Sequence, residues 1–378
     1  MIIQAFLRWV ETAKAGDRAR AASALGRAYA SSEMNTLDRH AAEMAMTFLL
    51  DDPSPKVRIA LAEAIADCPL IPRAIVISLA EDQPEAAFAV IARSPVLTDM
   101  DLVDLAASGT PETRAVIAAR HAISRPVVAA IAEIGGEDEV LILLENPAAE
   151  FSQRALKRLS ERLGHVAAVR NYLLDRSDLP VDVRHMLVEK VGAALSGFSL
   201  VQAAIGERRV ERITREACDS VAVGMAGSAD AAEVSALVEH LRVSGRLTPA
   251  FLMRALCSGR IDFFAAAICD LSGLAEKRVR SVLSNGRIHA VRALFEQAGL
   301  ARDISEQFAD ALFLWRKDNH QGGPAATSMS ATLLPRLRRL TLPEGAASGL
   351  AEMVEKLSIA EQRQSAREYA LLAAREAA

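Results

Sequence analysis

Apolar positions recur at helical spacing along most of the chain, and the pattern is clearest between residues 245 and 300. From Ile261 the apolar residues are Ile261, Phe264, Ala265, Ile268 and Leu271, the i, i+3, i+4, i+7 stripe of a buried helix face. Phe263 and Ala267 add a second stripe, so this helix is expected to be sandwiched. Ile288, Val291, Leu294, Phe295 and Ala298 repeat the device, and Val279, Val282 and Leu283 line a shorter helix between them. Glycines fall at 245, 259, 273, 286 and 299, with gaps of 14, 14, 13 and 13. Glycine takes positive φ at a helix C-terminus without a Cβ penalty, so each is expected to be a left-handed cap. Two capped helices make a hairpin of about 27 residues. Thr248 before Pro249 reads as an N-cap followed by Pro at the first helical position.

The first half carries a similar period in different residues. Helices are expected over 2–14, 18–29 and 36–50, and Asp51-Asp52-Pro53-Ser54-Pro55 then stops the pattern. Short segments close at Cys68-Pro69, Ser94-Pro95, His121-Ala122 and Asn146-Pro147, spaced by 26, 27 and 25. Ser54-Pro55-Lys56-Val57-Arg58 and Thr110-Pro111-Glu112-Thr113-Arg114 both read as cap, Pro, then Arg, and Leu179-Pro180-Val181-Asp182-Val183-Arg184 is a looser copy. A fixed period built from one helical unit predicts an all-α fold, an α-solenoid of stacked hairpins. The expected organisation is N-terminal repeats over 1–195, glycine-punctuated repeats over 196–318, a mobile loop over 319–332 and C-terminal helices over 333–378. A helix over 200–217, a joint at 223–228 and final helices at 345–357 and 359–377 complete it, the last a candidate oligomerisation helix.

These residues carry a resemblance. DDPSPKVRIALAEAIADCP and SGTPETRAVIAARHA are similar to helical repeats of the HEAT and leucine-rich-variant type. LTPAFLMRALCSG, Phe263-Phe264, the Leu271-Ser272-Gly273-Leu274 turn, Val279-Arg280-Ser281-Val282-Leu283 and Ala298-Gly299-Leu300 resemble the core of a bacterial family catalogued as domain of unknown function 2336. The resemblance implies a structural core at Gly245, Leu256, Gly259, Phe263, Phe264, Gly273, Leu283 and Gly299, extending more loosely over about 200–375. It implies helical repeats and no established activity.

Composition narrows the function classes. Aromatics are 4% of residues against 51% hydrophobic, so the core is built mainly from Ala, Leu, Val and Ile. The net charge of −4 divides by successive hundreds into −3, −3, +2 and 0, with no basic region of the kind that non-specific phosphate binding requires. Cys68, Cys218, Cys257 and Cys269 form no CxxC pair and read as reduced thiols of a cytoplasmic protein. The N-terminus lacks the features of an export signal, and the charge-free run 191–206 is too short and polar to span a bilayer.

No catalytic, cofactor or metal motif emerges. His40 and Glu43, with Asp38 nearby, lack further ligands and sit beside Arg39. His121, His165, His185, His240, His289 and His320 show no HxxxH or HExxH spacing, and no phosphate loop or nucleophile elbow occurs. A basic stripe of Arg154, Lys157, Arg158 and Arg162 lies opposite Ala155, Leu156, Leu159 and Leu163, and Arg336, Arg338 and Arg339 form another cluster. Repeat-start residues Arg58, Arg114 and Arg184 join the first stripe as candidates for holding a protein or peptide partner, although an Arg there also suits a helix C-terminus. The expectation is a non-enzymatic interaction scaffold. The competing reading is a HEAT-like nucleic-acid binder or DNA-repair glycosylase, against which the near-neutral regions speak.

Overall fold

A computed structural model of the chain describes residues 2–321, 329–338 and 346–376. Among the described residues the fold is all-α, with no strand and one isolated bridge between Ile123 and Ala149. It divides into two compact units, Met1–Leu179 and Pro180–Ala378. The division therefore falls ahead of the helix at Val181–Ser196, whereas the sequence suggested a boundary after it.

The first unit holds α1 (Ile2–Thr12), α2 (Ala15–Ser31), α3 (Thr36–Leu50), α4 (Pro55–Ile65), α5 (Arg73–Ala80), α6 (Pro84–Arg93), α7 (Asp99–Ser108), α8 (Pro111–Ala118), α9 (Arg125–Ile134), α10 (Glu137–Glu145), α11 (Gln153–Leu163) and α12 (Ala167–Asp175). Within it α2, α4, α6, α8, α10 and α12 pack in succession, each on the even-numbered helix before it. In a second layer α3 packs on α5, α7 on α9 and α9 on α11.

The starts of these helices are locally encoded. Pro55, Pro84 and Pro111 each lie in a first turn, where a missing N–H costs nothing. Thr98 and Asp101 form a reciprocal capping box, and Thr110 accepts from the Thr113 amide. Ser54 differs from the expected cap: its side chain caps nothing, and its amide instead donates to Asp52 Oδ1 at 2.8 Å.

The second unit holds α13 (Val181–Ser196), α14 (Ser199–Ile205), α15 (Glu207–Met225), α16 (Ala231–Val243), α17 (Pro249–Cys257), α18 (Ile261–Ser272), α19 (Glu276–Asn285), α20 (Ile288–Gln297), α21 (Arg302–Gln321), α22 (Met329–Leu337) and α23 (Ala346–Glu376). Its glycines explain its joints. Gly245, Gly259 and Gly299 have φ of +67°, +69° and +88°, with the next amide returning to Leu241, Ala255 and Phe295 respectively, the paired bonds of a Schellman cap. Gly273 caps α18 at φ +67°. Gly286 departs from the series: it is extended, at φ −64°.

Buried Phe264, Phe295 and Phe308 meet with ring centroids 5.8–6.0 Å apart, and Phe251 meets Phe263 at 5.8 Å. Leu256 and Leu283 are buried in the same core. So a chain poor in aromatics concentrates its phenylalanines where α17, α18, α20 and α21 converge.

Three expectations about connections change. The helix expected over 200–217 is broken by Gly206 at φ +89°, which separates α14 from α15. The two final helices are one continuous helix, α23, in which Ser358 is buried rather than a break. Arg212 and Lys356 form ion pairs with Glu352 and Glu216, tying α23 to α15 at 3.1 and 2.7 Å. Of the stretch 319–332 expected to be a loop, 319–321 and 329–332 are helical and 322–328 lie outside the described residues.

Close approach of α2 to α4 depends on Gly26, where an added Cβ would stand 2.8 Å from Ala64 Cβ and 2.9 Å from Ile65 Cγ2. Gly26→Val is expected to destabilise the chain by roughly 2–3 kcal/mol in urea unfolding, the cost of overpacking a tight contact. An unchanged midpoint would show that the two helices are free to separate there.

Candidate functional site

Three arginines in the first unit, on α2, α4 and α8, perform one repeated task. Arg18 on α2 donates to the Ala13 carbonyl just past α1 and makes a bidentate pair with Asp52, at 2.7 and 2.9 Å, ahead of α4. Arg58 on α4 donates to the Asp52 carbonyl just past α3 at 2.6 Å and grips Asp82 ahead of α6 at 2.5 and 3.0 Å. Arg114 on α8 donates to the Gly109 carbonyl past α7 and to Glu139 on α10. Each guanidinium thus closes the preceding helix and reaches a carboxylate at the next even-numbered helix. Arg184 is half-buried in the first turn of α13. These candidates are spent largely inside the fold, the structural alternative that an Arg at such a site allows.

The basic stripe on α11 divides. Arg162 donates to the carbonyls of Ala132 and Gly135 at the end of α9, at 2.6 and 3.1 Å. Arg120 closes α6 in the same way through Ile91 and Ser94, and Arg316 closes α19 through Val282, Leu283 and Gly286. Arg158 pairs with Glu133 at 2.6 and 2.7 Å. Arg154 and Lys157 stand exposed beside a groove of about 490 Å³ between α9 and α11, in which Glu133 and Glu161 offset them. Glu43, three residues after His40, accepts from the Tyr29 hydroxyl at 2.7 Å. Arg336 and Arg338 pair with Asp310 and Glu355, and Arg339 lies outside the described residues.

A different kind of site forms in the second unit from residues far apart in sequence. His185 and Glu189 lie one turn apart on α13, and His240 enters from α16, which packs on α13. Glu189 Oε2 stands 3.3 Å from His240 Nε2 and 3.9 Å from His185 Nδ1, and the two rings meet edge to face with centroids 5.4 Å apart. His185 is completely buried, and neither of its ring nitrogens has a hydrogen-bond partner. A buried polar group left so costs roughly 1–3 kcal/mol. Arg246 approaches the other oxygen of Glu189 at 3.4 Å and pairs with Asp219 at 2.7 Å.

Burial pushes His185 below the ordinary imidazole range, so it is neutral. Burial works to raise Glu189, but the hydrogen bond with His240 and the Arg246 guanidinium outweigh it, and the carboxyl lies below its usual range. Cys218 lies within electrostatic reach of Arg246, Glu189 and Asp219, and burial raises its thiol. Two imidazoles and a carboxylate are a donor set suited to a first-row divalent metal. The local signal, His185 four residues before Glu189 on a helix, was present in the sequence. The partner 51 residues onward was not.

Residues 86–341 match a family described as an uncharacterised protein conserved in bacteria, DUF2336. The chain belongs to this family. The DUF2336 match begins on α6, so it takes in helices of the first unit as well as the glycine-capped region, and it ends at 341 rather than near 375. No curated protein and no solved structure matches the chain.

The DUF2336 region also contains two open surfaces in the second unit. A groove of about 790 Å³ runs between α16 and α18 over Val234, Val238, Phe263 and Ala266. Charges on its rim are largely paired, Arg280 with Asp262 and Glu276, and Asp270 with Arg242. Beside the α13–α14 turn, Leu195, Phe198, Leu200 and Ile205 are 51%, 58%, 83% and 45% exposed, and α14 buries none of its own residues. No described helix is long and apolar enough to cross a membrane.

Two outcomes follow from the ion pairs. Arg246→Met leaves Asp219 and Glu189 without their cation and is expected to cost on the order of 2–3 kcal/mol, discounted for partial exposure; no loss in urea unfolding would mean that solvent already screens the pair. The Arg18 hydrogen bond holds the Asp52 carboxyl below its usual range. A depressed carboxylate contributes stability above its unfolded pKa of about 4, and that contribution is lost as pH falls through the lower folded value. Asp52→Asn is therefore expected to be less stable than wild type at pH 7, with the difference shrinking below about pH 4. A difference that stays constant down to about pH 2 would contradict this linkage.

Proposed function

We propose that this DUF2336 chain is a non-enzymatic interaction module, HEAT-like in its stacked helical hairpins, that docks a protein partner on the apolar face around α14. The observation that carries the reading is the exposure of Leu195, Phe198, Leu200 and Ile205 together on and beside a helix that buries none of its own residues. Clustered large apolar side chains at a surface are a marker of a protein interface. Ile213 and Val221 on α15 are also exposed, eight residues apart and so on one side of that helix. The fitting partner presents an apolar helix face, which the shallow apolar surface accepts without a charge match. The alternate packing of even- and odd-numbered helices supports the HEAT-like reading, because stacked hairpins create long open surfaces. Buried free thiols at Cys68, Cys218 and Cys257 support a cytoplasmic setting.

The nucleic-acid or glycosylase alternative wants an excess of free cations along a groove. Here Arg158 and Arg162 are held by Glu133 and by helix-end carbonyls, which favours a protein partner.

Affinity capture from bacterial lysate with the tagged full chain, beside the Phe198→Asp/Leu200→Asp double variant, tests the reading. The variant is expected to keep the wild-type unfolding midpoint and to lose at least about tenfold of the captured partner, the scale of one interface hot spot. The same partner at the same yield from both chains would remove α14 as the docking face. Capture of nucleic acid that falls steeply with salt would favour the alternative.

A further inference from the structure

We propose that His185, Glu189 and His240 form a binding site for a divalent transition metal, zinc by preference, which joins α13 to α16. Their ligand atoms all lie within 4.8 Å of one another, and among the described residues this is the one group of His, Cys, Asp and Glu so arranged. Tetrahedral zinc, with bonds of about 2.0–2.2 Å, sets its ligand atoms roughly 3.3–3.5 Å apart. Glu189 Oε2 and His240 Nε2 already stand at 3.3 Å, and Glu189 Oε2 and His185 Nδ1 at 3.9 Å. Small side-chain adjustments bring all three to one centre.

The independent observation is His185. It is wholly buried, and both of its nitrogens lack a hydrogen-bond partner although Glu189 lies one turn away. An imidazole kept for packing alone would be expected to place at least one nitrogen on a carbonyl or hydroxyl. A metal satisfies the nitrogen facing Glu189.

The surroundings accommodate a cation. Arg246 approaches Glu189 Oε1, the oxygen turned away from the histidines, and its charge is met by Asp219 at 2.7 Å. Around the two imidazoles stand two carboxylates, Glu189 and Asp219, and one guanidinium, Arg246. The Arg246 contact orients the carboxylate, the kind of outer support that metal ligands ordinarily carry. Glu189 and His240 keep 23% and 17% of their side-chain surface exposed, which provides an entry path and room for water as a fourth ligand.

The test uses the full chain stripped of metal with a chelator, then titrated with Zn²⁺ by calorimetry and with Co²⁺ by visible absorption. One equivalent of zinc is expected to bind, cobalt to give the intense bands of a four-coordinate centre, and the unfolding midpoint to rise with zinc. His240→Ala and Glu189→Gln, at the exposed edge, are expected to remain folded by circular dichroism. Each should weaken zinc binding by at least about 100-fold, the upper range for losing an outer-shell partner. Absence of saturable binding by the folded wild-type chain would overturn the proposal. So would undiminished binding in both variants, which would place the metal elsewhere, for instance on the cysteines.

Discussion

Satisfying the ends of short helices is the constraint on which this fold depends. α5 and α8 have eight residues each, and a helix leaves its first four N–H and last four C=O groups without partners inside itself. A protein made of such helices is mostly helix ends, and many of those ends are buried between layers. Two solutions share the task. In the second unit a left-handed glycine turns the chain back so that the next amides bond the last carbonyls, as at Gly245, Gly259 and Gly299. In the first unit an arginine from a neighbouring segment supplies the donors, as Arg58, Arg114 and Arg162 do from helices and Arg120 from the connection after α8. For Arg58 and Arg114 the arginine solution also links helices, because the same guanidinium that closes one helix holds a carboxylate at or ahead of another.

Much of the helical content was legible because it is locally encoded. The i, i+3, i+4 stripes of α18 and α20 lead to buried Phe263, Phe264, Val291 and Phe295, and the Thr110 and Thr248 caps act within three residues. Gly286 illustrates the limit of spacing arguments: it keeps the period of its neighbours, but its backbone is extended and Arg316 closes the helix instead. The continuity of α23 across the buried Ser358 depends on packing that no single window contains. The roles of the arginines were only half visible. Their place after Pro could be read, but their acceptors, Asp82 and Glu139, lie 24 and 25 residues on.

Against that background the cluster at His185 is the exception. Ser160 is buried and bonded, and Arg254 meets Ser220, whereas Gln83, Arg93, Arg120, Ser124 and Gln307 each leave one buried polar atom without a hydrogen-bond partner. Among the described residues His185 is the one side chain that leaves two buried polar atoms without a hydrogen-bond partner, beside a carboxylate and a second imidazole contributed by another helix. Exposed apolar side chains on α14 are the complementary departure on the surface. A site at odds with an otherwise well-satisfied fold is where function is expected to reside.

Arg58 with Asp82 offers the most direct test of whether the arginines of α2, α4 and α8 hold neighbouring helices together rather than face a partner. A double-mutant cycle of Arg58→Met, Asp82→Asn and the combined variant, followed by urea unfolding, isolates their coupling from other effects of each substitution. With both side chains mostly buried, at 17% and 16% exposure, the expected coupling is about 1 kcal/mol or more in favour of the pair. Additive losses, with a coupling near zero, would contradict the account and return Arg58 to the surface residues available for a partner.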